Sequence, residues 1–234
     1  MMRTRVKVCC IASVNEAKVA IRAGADAIGL VAKMPSGPGP IADELIAEIA
    51  SSIPSGVDSF LLTSKTESES VVDHVRLCGT SVVQLVDEVP YETYAALRKS
   101  CPGVRIVQVI HVQDDRAIGQ ARGMASLVDA VLLDSGRPDA KVPELGGTGR
   151  QHDWSVSARV VREAGVPVFL AGGLNVGNVR AAIEQVAPYG VDLCSGVRTA
   201  GKLDEEILRD FMAEVGEADR TERQPNQRVP SDAR

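Results

Sequence analysis

The stretch RVKVCCIASVNEAKVAIRAGADAIGLVA, residues 5–32, contains one complete structural unit. It opens on a short run rich in β-branched residues (RVKVCCI, 5–11), continues with helical periodicity, and ends on a second apolar run (DAIGLVA, 26–32). Ser13 and Glu16 stand at capping-box spacing, where a hydroxyl and a carboxylate satisfy the first free amides of a helix. The turn AGAD (23–26) reads as a connection that ends a helix on glycine. Outward from this unit the same pattern recurs, with apolar runs VDSFLLT (57–63), SVVQLV (81–86), VRIVQVIHV (104–112), DAVLLD (129–134), VPVFLA (166–171) and VDLCSG (191–196). Thr66 with Glu69 repeats the capping spacing, and Asp153 and Asn175 precede further periodic stretches. Eight strands alternating with helices predict an α/β fold, a single-domain (β/α)8 TIM barrel over residues 1–216. A doubly wound open sheet would usually have fewer strands, and no G-x-G-x-x-G follows the first one.

Composition narrows the function. The chain has 234 residues, 44% of them hydrophobic, enough for a sizeable core. A formal charge of −5, 3% aromatic residues and no dense Lys/Arg run argue against a nucleic-acid partner, whose phosphates need clustered cations. No run approaches the ~18 apolar residues of a membrane span, and MMRTRVKVCC lacks the apolar stretch of a signal peptide, so a cytoplasmic protein without a membrane partner is expected. The five cysteines are irregularly spaced with no CxxC pair, and His74, His111 and His152 form no HxH or HExxH. Neither a disulfide framework nor a metal is expected. The polar residues 217–234 have no periodicity and read as a disordered tail.

The longest connection, SGRPDAKVPELGGTGRQH (135–152), follows the sixth strand, where a barrel builds its active site, and reads as a candidate lid. Alternation along the first strand puts Lys7, Cys9 and Ile11 on one face and Val6, Val8 and Cys10 on the other. Cys9 then faces the barrel mouth and Cys10 packs or turns away. By residue type alone, both thiols pass equally as small buried hydrophobes. Asp134 ends its strand either as a cap or as a carboxylate aimed into the pocket. Together Cys9 and Asp134 can serve as base and acid, with Lys7 as the cation that favours a thiolate. The glycine segments GGTG (146–149), AGG (171–173) and CSG (194–196) stand at strand ends, and barrels bind phosphate on backbone amides in the loops after the seventh and eighth strands, which predicts a phosphorylated substrate.

These residues resemble the phosphoribosylanthranilate isomerase family, (β/α)8 enzymes of tryptophan synthesis, across most of residues 5–215. KVCCI (7–11) is similar to its Lys-Ile-Cys-Gly-Ile, LLDS (132–135) to its general-acid strand, and GGTGRQHDWS (146–155) to its Gly-Gly-Thr-Gly-Lys-x-Phe-Asp-Trp-Ser. LAGGLNVGNV (170–179) and VDLCSGVR (191–198) match its last two strands. The resemblance implies Cys9 as general base, Asp134 as general acid, and phosphate on amides around Gly172, Gly173, Ser195 and Gly196. It also implies a substrate loop at Gly146, Gly147, Thr148 and Gly149. The reaction implied is a cofactor-free Amadori rearrangement by a monomer or homodimer.

Departures cluster at the aglycone end. Cys10 stands where the family has glycine, MPSGPGPI (34–41) lacks the arginine that pairs with the anthranilate carboxylate, Val86-Asp87 replaces His-Gly, and Arg198 replaces a glutamate. Lys33, Arg137, Arg150 and Arg198 are the cations available for that carboxylate, with Lys33 favoured because it opens the connection that carries the family's arginine. Two alternatives stay open, a barrel acting on another aglycone and a non-catalytic barrel that only binds phosphate ligands.

Overall fold

Runs of valine, isoleucine and leucine with no polar face form strands only when both faces are covered, and that requirement selects the architecture here. In this computed structural model, which describes residues 3–136 and 151–222, eight parallel strands close in sequential order into a barrel. They are β1 (Arg5–Val8), β2 (Ala27–Val31), β3 (Asp58–Thr63), β4 (Val82–Leu85), β5 (Arg105–His111), β6 (Ala130–Asp134), β7 (Val168–Leu170) and β8 (Gly190–Leu193). Closure comes from β8 pairing with β1, Arg5 opposite Gly190 and Val8 opposite Leu193. Around them run α1 (Val14–Arg22), α2 (Asp43–Ser51), α3 (Ser68–Cys78), α4 (Tyr91–Ser100), α5 (Arg116–Met124), α6 (Trp154–Glu163), α7 (Val179–Val186) and α8 (Glu205–Glu222). A short antiparallel pair, β9 (Arg198–Thr199) and β10 (Lys202–Leu203), lies between β8 and α8.

Alternation along each strand splits the apolar residues into two layers. Val6, Val8, Ile28, Leu30, Leu61, Val83 and Leu85 join the helices in one core, while Ala27, Val31, Phe60, Val82, Val107, Leu132 and Phe169 fill the barrel interior. Phe60 and Phe169 meet edge to face at 5.9 Å and plug its floor side. Burying these strands on both faces is the main stabilising term, at roughly 25 cal/mol per Å² of apolar area.

Three expectations change. The first strand stops at Val8 because Cys10 takes a left-handed backbone (φ 62°), which breaks the alternation. Ile11 therefore joins the outer core, not the face of Cys9. At the start of α3 the cap residue is Glu67, with no side-chain cap bond, so Thr66 and Glu69 form no capping box. By contrast Ser13 Oγ accepts from the Glu16 amide at 3.1 Å, and Asp153 accepts from the Ser155 amide at 2.8 Å.

The polar stretch from 217 is helical as far as Glu222. Leu208, Phe211, Val215 and Ala218 make one buried stripe of α8, and Asp219 accepts from the amide and hydroxyl of Thr4 at 3.1 and 2.7 Å. One alanine on the right face sufficed, although composition alone read this segment as tail. Residues 137–150, most of the candidate lid 135–152, and residues 223–234 lie outside the described residues.

Candidate active site

The strand ends converge on an open cavity of about 740 Å³, including solvent at its mouth. Cys9, from the end of β1, and Asp134, the last residue of β6, both line it. Gly172 and Gly173 after β7 and Ser195 after β8 form another part of its wall, and Ser36, Gly37 and Pro38 reach it from the connection after β2.

Cys9 is fixed by its backbone and by what lies beneath it. Its amide donates to Leu193 O at 2.8 Å, extending the β1–β8 ladder one residue past the strand. On the facing strand Gly29 makes room for the thiol, since a Cβ there would sit 2.7 Å from Cys9 Sγ and 3.1 Å from Lys7 Nζ. Lys7, two residues earlier on the same face, is fully buried, with Nζ 2.9 Å from Asp192 Oδ1 and 5.1 Å from the Phe60 ring centroid. The contact is a Coulombic pair, for neither Nζ nor Oδ1 has an aligned hydrogen-bond partner. Burial works against the ammonium, but Asp192, then Cys9, holds it above the ordinary lysine range. Burial pushes the Asp192 carboxyl up, and Lys7 opposes that. The outcome is a buried cation below Cys9 whose charge is shared with a carboxylate.

Asp134 is 9% exposed, and its Oδ1 accepts from the Ser135 amide at 2.7 Å. Its charge is felt by Asp192 and by His152, whose pKa burial lowers while Asp134 and Asp153 pull it back. His152 Nε2 lies 2.7 Å from Ser157 Oγ.

Cys10 does not turn away. Its left-handed backbone carries it to the cavity wall, with Sγ 3.7 Å from Pro38 O. Its hydrogen bond with Cys194, then that with Cys9, then burial, push its thiol far up, and the same bond lowers Cys194. Cys10 is thus held as a neutral thiol.

Along the rim after β7, Gly172 and Gly173 have positive φ (89° and 65°). At Gly196 a Cβ would lie 2.0 Å from Leu174 O, so the turns after β7 and β8 pack too closely for any side chain.

The cations fare differently. Lys33 is exposed and stands outside the cavity wall; its carbonyl accepts from Ser64 Oγ at 2.9 Å. Arg198 is committed elsewhere: it pairs with Glu16 at 3.3 Å, and its Nη2 donates to the carbonyls of Cys9 (3.2 Å) and Cys10 (2.6 Å). It braces the end of β1. Arg137, Arg150, Gly146, Gly147, Thr148 and Gly149 lie outside the described residues.

Sequence reasoning passed over two residues of the site. Asp192 lay inside the apolar run VDLCSG, where an isolated carboxylate signals a buried partner. Gln84, inside SVVQLV, lines the cavity 3% exposed, with Oε1 unpartnered.

A family model for N-(5'-phosphoribosyl)anthranilate (PRA) isomerase matches residues 6–214 of the chain. The N-(5'-phosphoribosyl)anthranilate isomerase of Methanocella arvoryzae is 36% identical over 213 residues, covering 91% of this chain and 98% of that protein. The crystal structure of phosphoribosyl anthranilate isomerase from Thermus thermophilus superposes with a TM-score of 0.77 at 26% identity, over 92% of this chain and 99% of the other. A phosphoribosyl anthranilate isomerase in complex with reduced 1-(o-carboxyphenylamino)-1-deoxyribulose 5-phosphate gives a TM-score of 0.74 at 28% identity, over 92% and 99% of the two chains.

Proposed function

The chain belongs to the N-(5'-phosphoribosyl)anthranilate isomerase family, and from that premise we propose how its own residues carry the reaction. The activity is an intramolecular oxidation and reduction, aldose to ketose, in tryptophan biosynthesis. Electrons move only within the substrate, so the chemistry requires proton transfer and placement. Asp134 protonates the furanose oxygen of N-(5'-phosphoribosyl)anthranilate, and the ring opens to a Schiff base. Its iminium acidifies the C2' proton, which the Cys9 thiolate removes. The enolamine then tautomerises to the ketone, 1-(2-carboxyphenylamino)-1-deoxyribulose 5-phosphate.

The observation that carries this reading is that Cys9 and Asp134, remote in sequence, line one cavity with Gly172, Gly173 and Ser195 in its wall. The amides of Gly172, Gly173, Ser195 and Gly196 take the phosphate, at the position where barrels bind it. Lys7 lies beneath Cys9, with its charge paired to Asp192. Gln84, with its unpartnered amide, offers a hydrogen bond to the open-chain sugar. A base and an acid in one cavity argue against a barrel that only binds phosphate ligands. With Arg198 engaged on β1 and Lys33 outside the cavity wall, Arg137 and Arg150 are the cations left for the anthranilate carboxylate.

The reading is tested by adding purified protein to freshly generated N-(5'-phosphoribosyl)anthranilate and following loss of its fluorescence, alongside rescue of a tryptophan auxotroph lacking this step. Turnover and rescue are expected. Folded protein that fails both acts on another aglycone.

A further inference from the structure

We propose that Asp43, His74 and Cys78 form a binding site for one divalent cation of the zinc class, in the helical shell and outside the cavity wall. One ligand atom from each lies within 4.8 Å of the others. His74 and Cys78 are four residues apart on α3 and so share a face, and Asp43, the first residue of α2, meets that face from the neighbouring helix. His74 Nε2 lies 3.2 Å from Asp43 Oδ1, close to the ~3.4 Å edge of a tetrahedron whose ligands are 2.0 to 2.2 Å from zinc. Only the Cys78 thiol has to swing inward to complete three ligands.

The donor set decides the ion. One thiolate, one imidazole and one carboxylate suit a borderline-soft tetrahedral ion and discriminate against magnesium and calcium, which take oxygen ligands. His74 and Cys78 are buried, whereas the Asp43 side chain is 31% exposed, so entry and a fourth, water ligand belong on the Asp43 side.

The surroundings fit an imidazole ligand. Thr63 Oγ1, at the end of β3, lies 2.9 Å from His74 Nδ1 and also accepts from the Lys65 amide at 3.2 Å. With the ion on Nε2, the imidazole proton moves to Nδ1 and is donated to Thr63, which fixes ring and tautomer. Ligation by a thiolate releases the Cys78 proton, one per ion, so affinity rises with pH. Glu44 adds negative charge nearby, and Lys65 works against the ion. The site is hidden from a reading of the sequence because the third ligand comes from a different helix and His-x-x-x-Cys on a buried face looks like core.

The test titrates metal-stripped full-length protein with cobalt(II), whose thiolate charge-transfer band reports sulfur ligation, and with zinc(II) in a thermal melt. One ion per chain is expected, with the cobalt band present and Tm raised by ~5 to 10 °C at zinc about a hundredfold above Kd. Cys78→Ser must abolish the band. Asp43→Asn, at the exposed edge and checked for fold by its isomerase activity, must weaken cobalt by on the order of tenfold or more. A band that survives Cys78→Ser would place the ion on the cavity thiols and overturn the site, as would unchanged affinity in Asp43→Asn or no binding below millimolar cobalt.

Discussion

Two adjacent thiols with different work are separated by one backbone angle. Cys9 continues the β1 ladder into the cavity, and Cys10, left-handed, reaches the same wall as a free thiol with its Sγ 3.7 Å from Pro38 O. Period-two reasoning placed Cys9 rightly but misplaced Ile11 and Cys10, because it has no means of anticipating a positive φ on a residue with a Cβ. The glycine that the family carries at this position would relax that angle. Cys10→Gly should therefore keep kcat within about twofold and change stability by no more than ~1 kcal/mol, since relief of left-handed strain offsets lost packing and glycine's greater chain entropy; steady-state kinetics and a denaturant melt check both. The carboxylate receptor belongs to this scale too. Arg137→Ala or Arg150→Ala should raise KM by on the order of tenfold with kcat less affected, while Lys33→Ala leaves KM nearly unchanged. A Lys33 effect of that size would put the receptor on the connection after β2.

At the scale of elements, all eight strands could be read from β-branched runs because a parallel barrel buries both strand faces, whereas their ends depended on turns that composition does not encode. Arg198 shows the difference. Its place in VDLCSGVR suggested a free cation after β8, but it ties β9 to the end of β1 through Cys9 O, Cys10 O and Glu16. Glu16 in turn accepts from the amides of Ala12 and Leu203 at 3.0 and 3.2 Å, so four segments meet there. Arg198→Met should cost about 2 to 4 kcal/mol and lower kcat more than it raises KM, through a loosened Cys9. The pair also has a pH signature. Burial pushes Glu16 up, but the Leu203 and Ala12 amides and the Arg198 guanidinium hold it below the ordinary glutamate value. The unfolded chain then protonates first as pH falls, so this stability is complete above the unfolded pKa and lost on acidification through the folded one. Wild-type denaturation midpoints should fall between about pH 5 and pH 3 more steeply than those of Arg198→Met; parallel slopes would show that the brace does not hold Glu16 ionised.

The whole molecule depends on closure, which joins both ends of the chain and brings the reacting groups together. Ala218 and Asp219 of α8 hold the barrel floor at Thr4, so ending the chain at residue 216 should lower Tm by several degrees relative to ending it at 222, as read by calorimetry. Equal melting temperatures would make residues 217–222 dispensable. Closure also sets Cys9, just past β1, and Asp134 of β6 in one cavity wall, although 125 positions separate 9 from 134 in the sequence. The acid and base roles are therefore tested most directly by kcat for the isomerisation in Cys9→Ala and Asp134→Asn, measured beside Tm. Each should lose ~10² to 10⁴ in kcat, the usual scale of general acid or base catalysis, with Tm nearly unchanged. If folded Cys9→Ala turns over at the wild-type rate, or Asp134→Asn does, that residue is not the proton carrier assigned here.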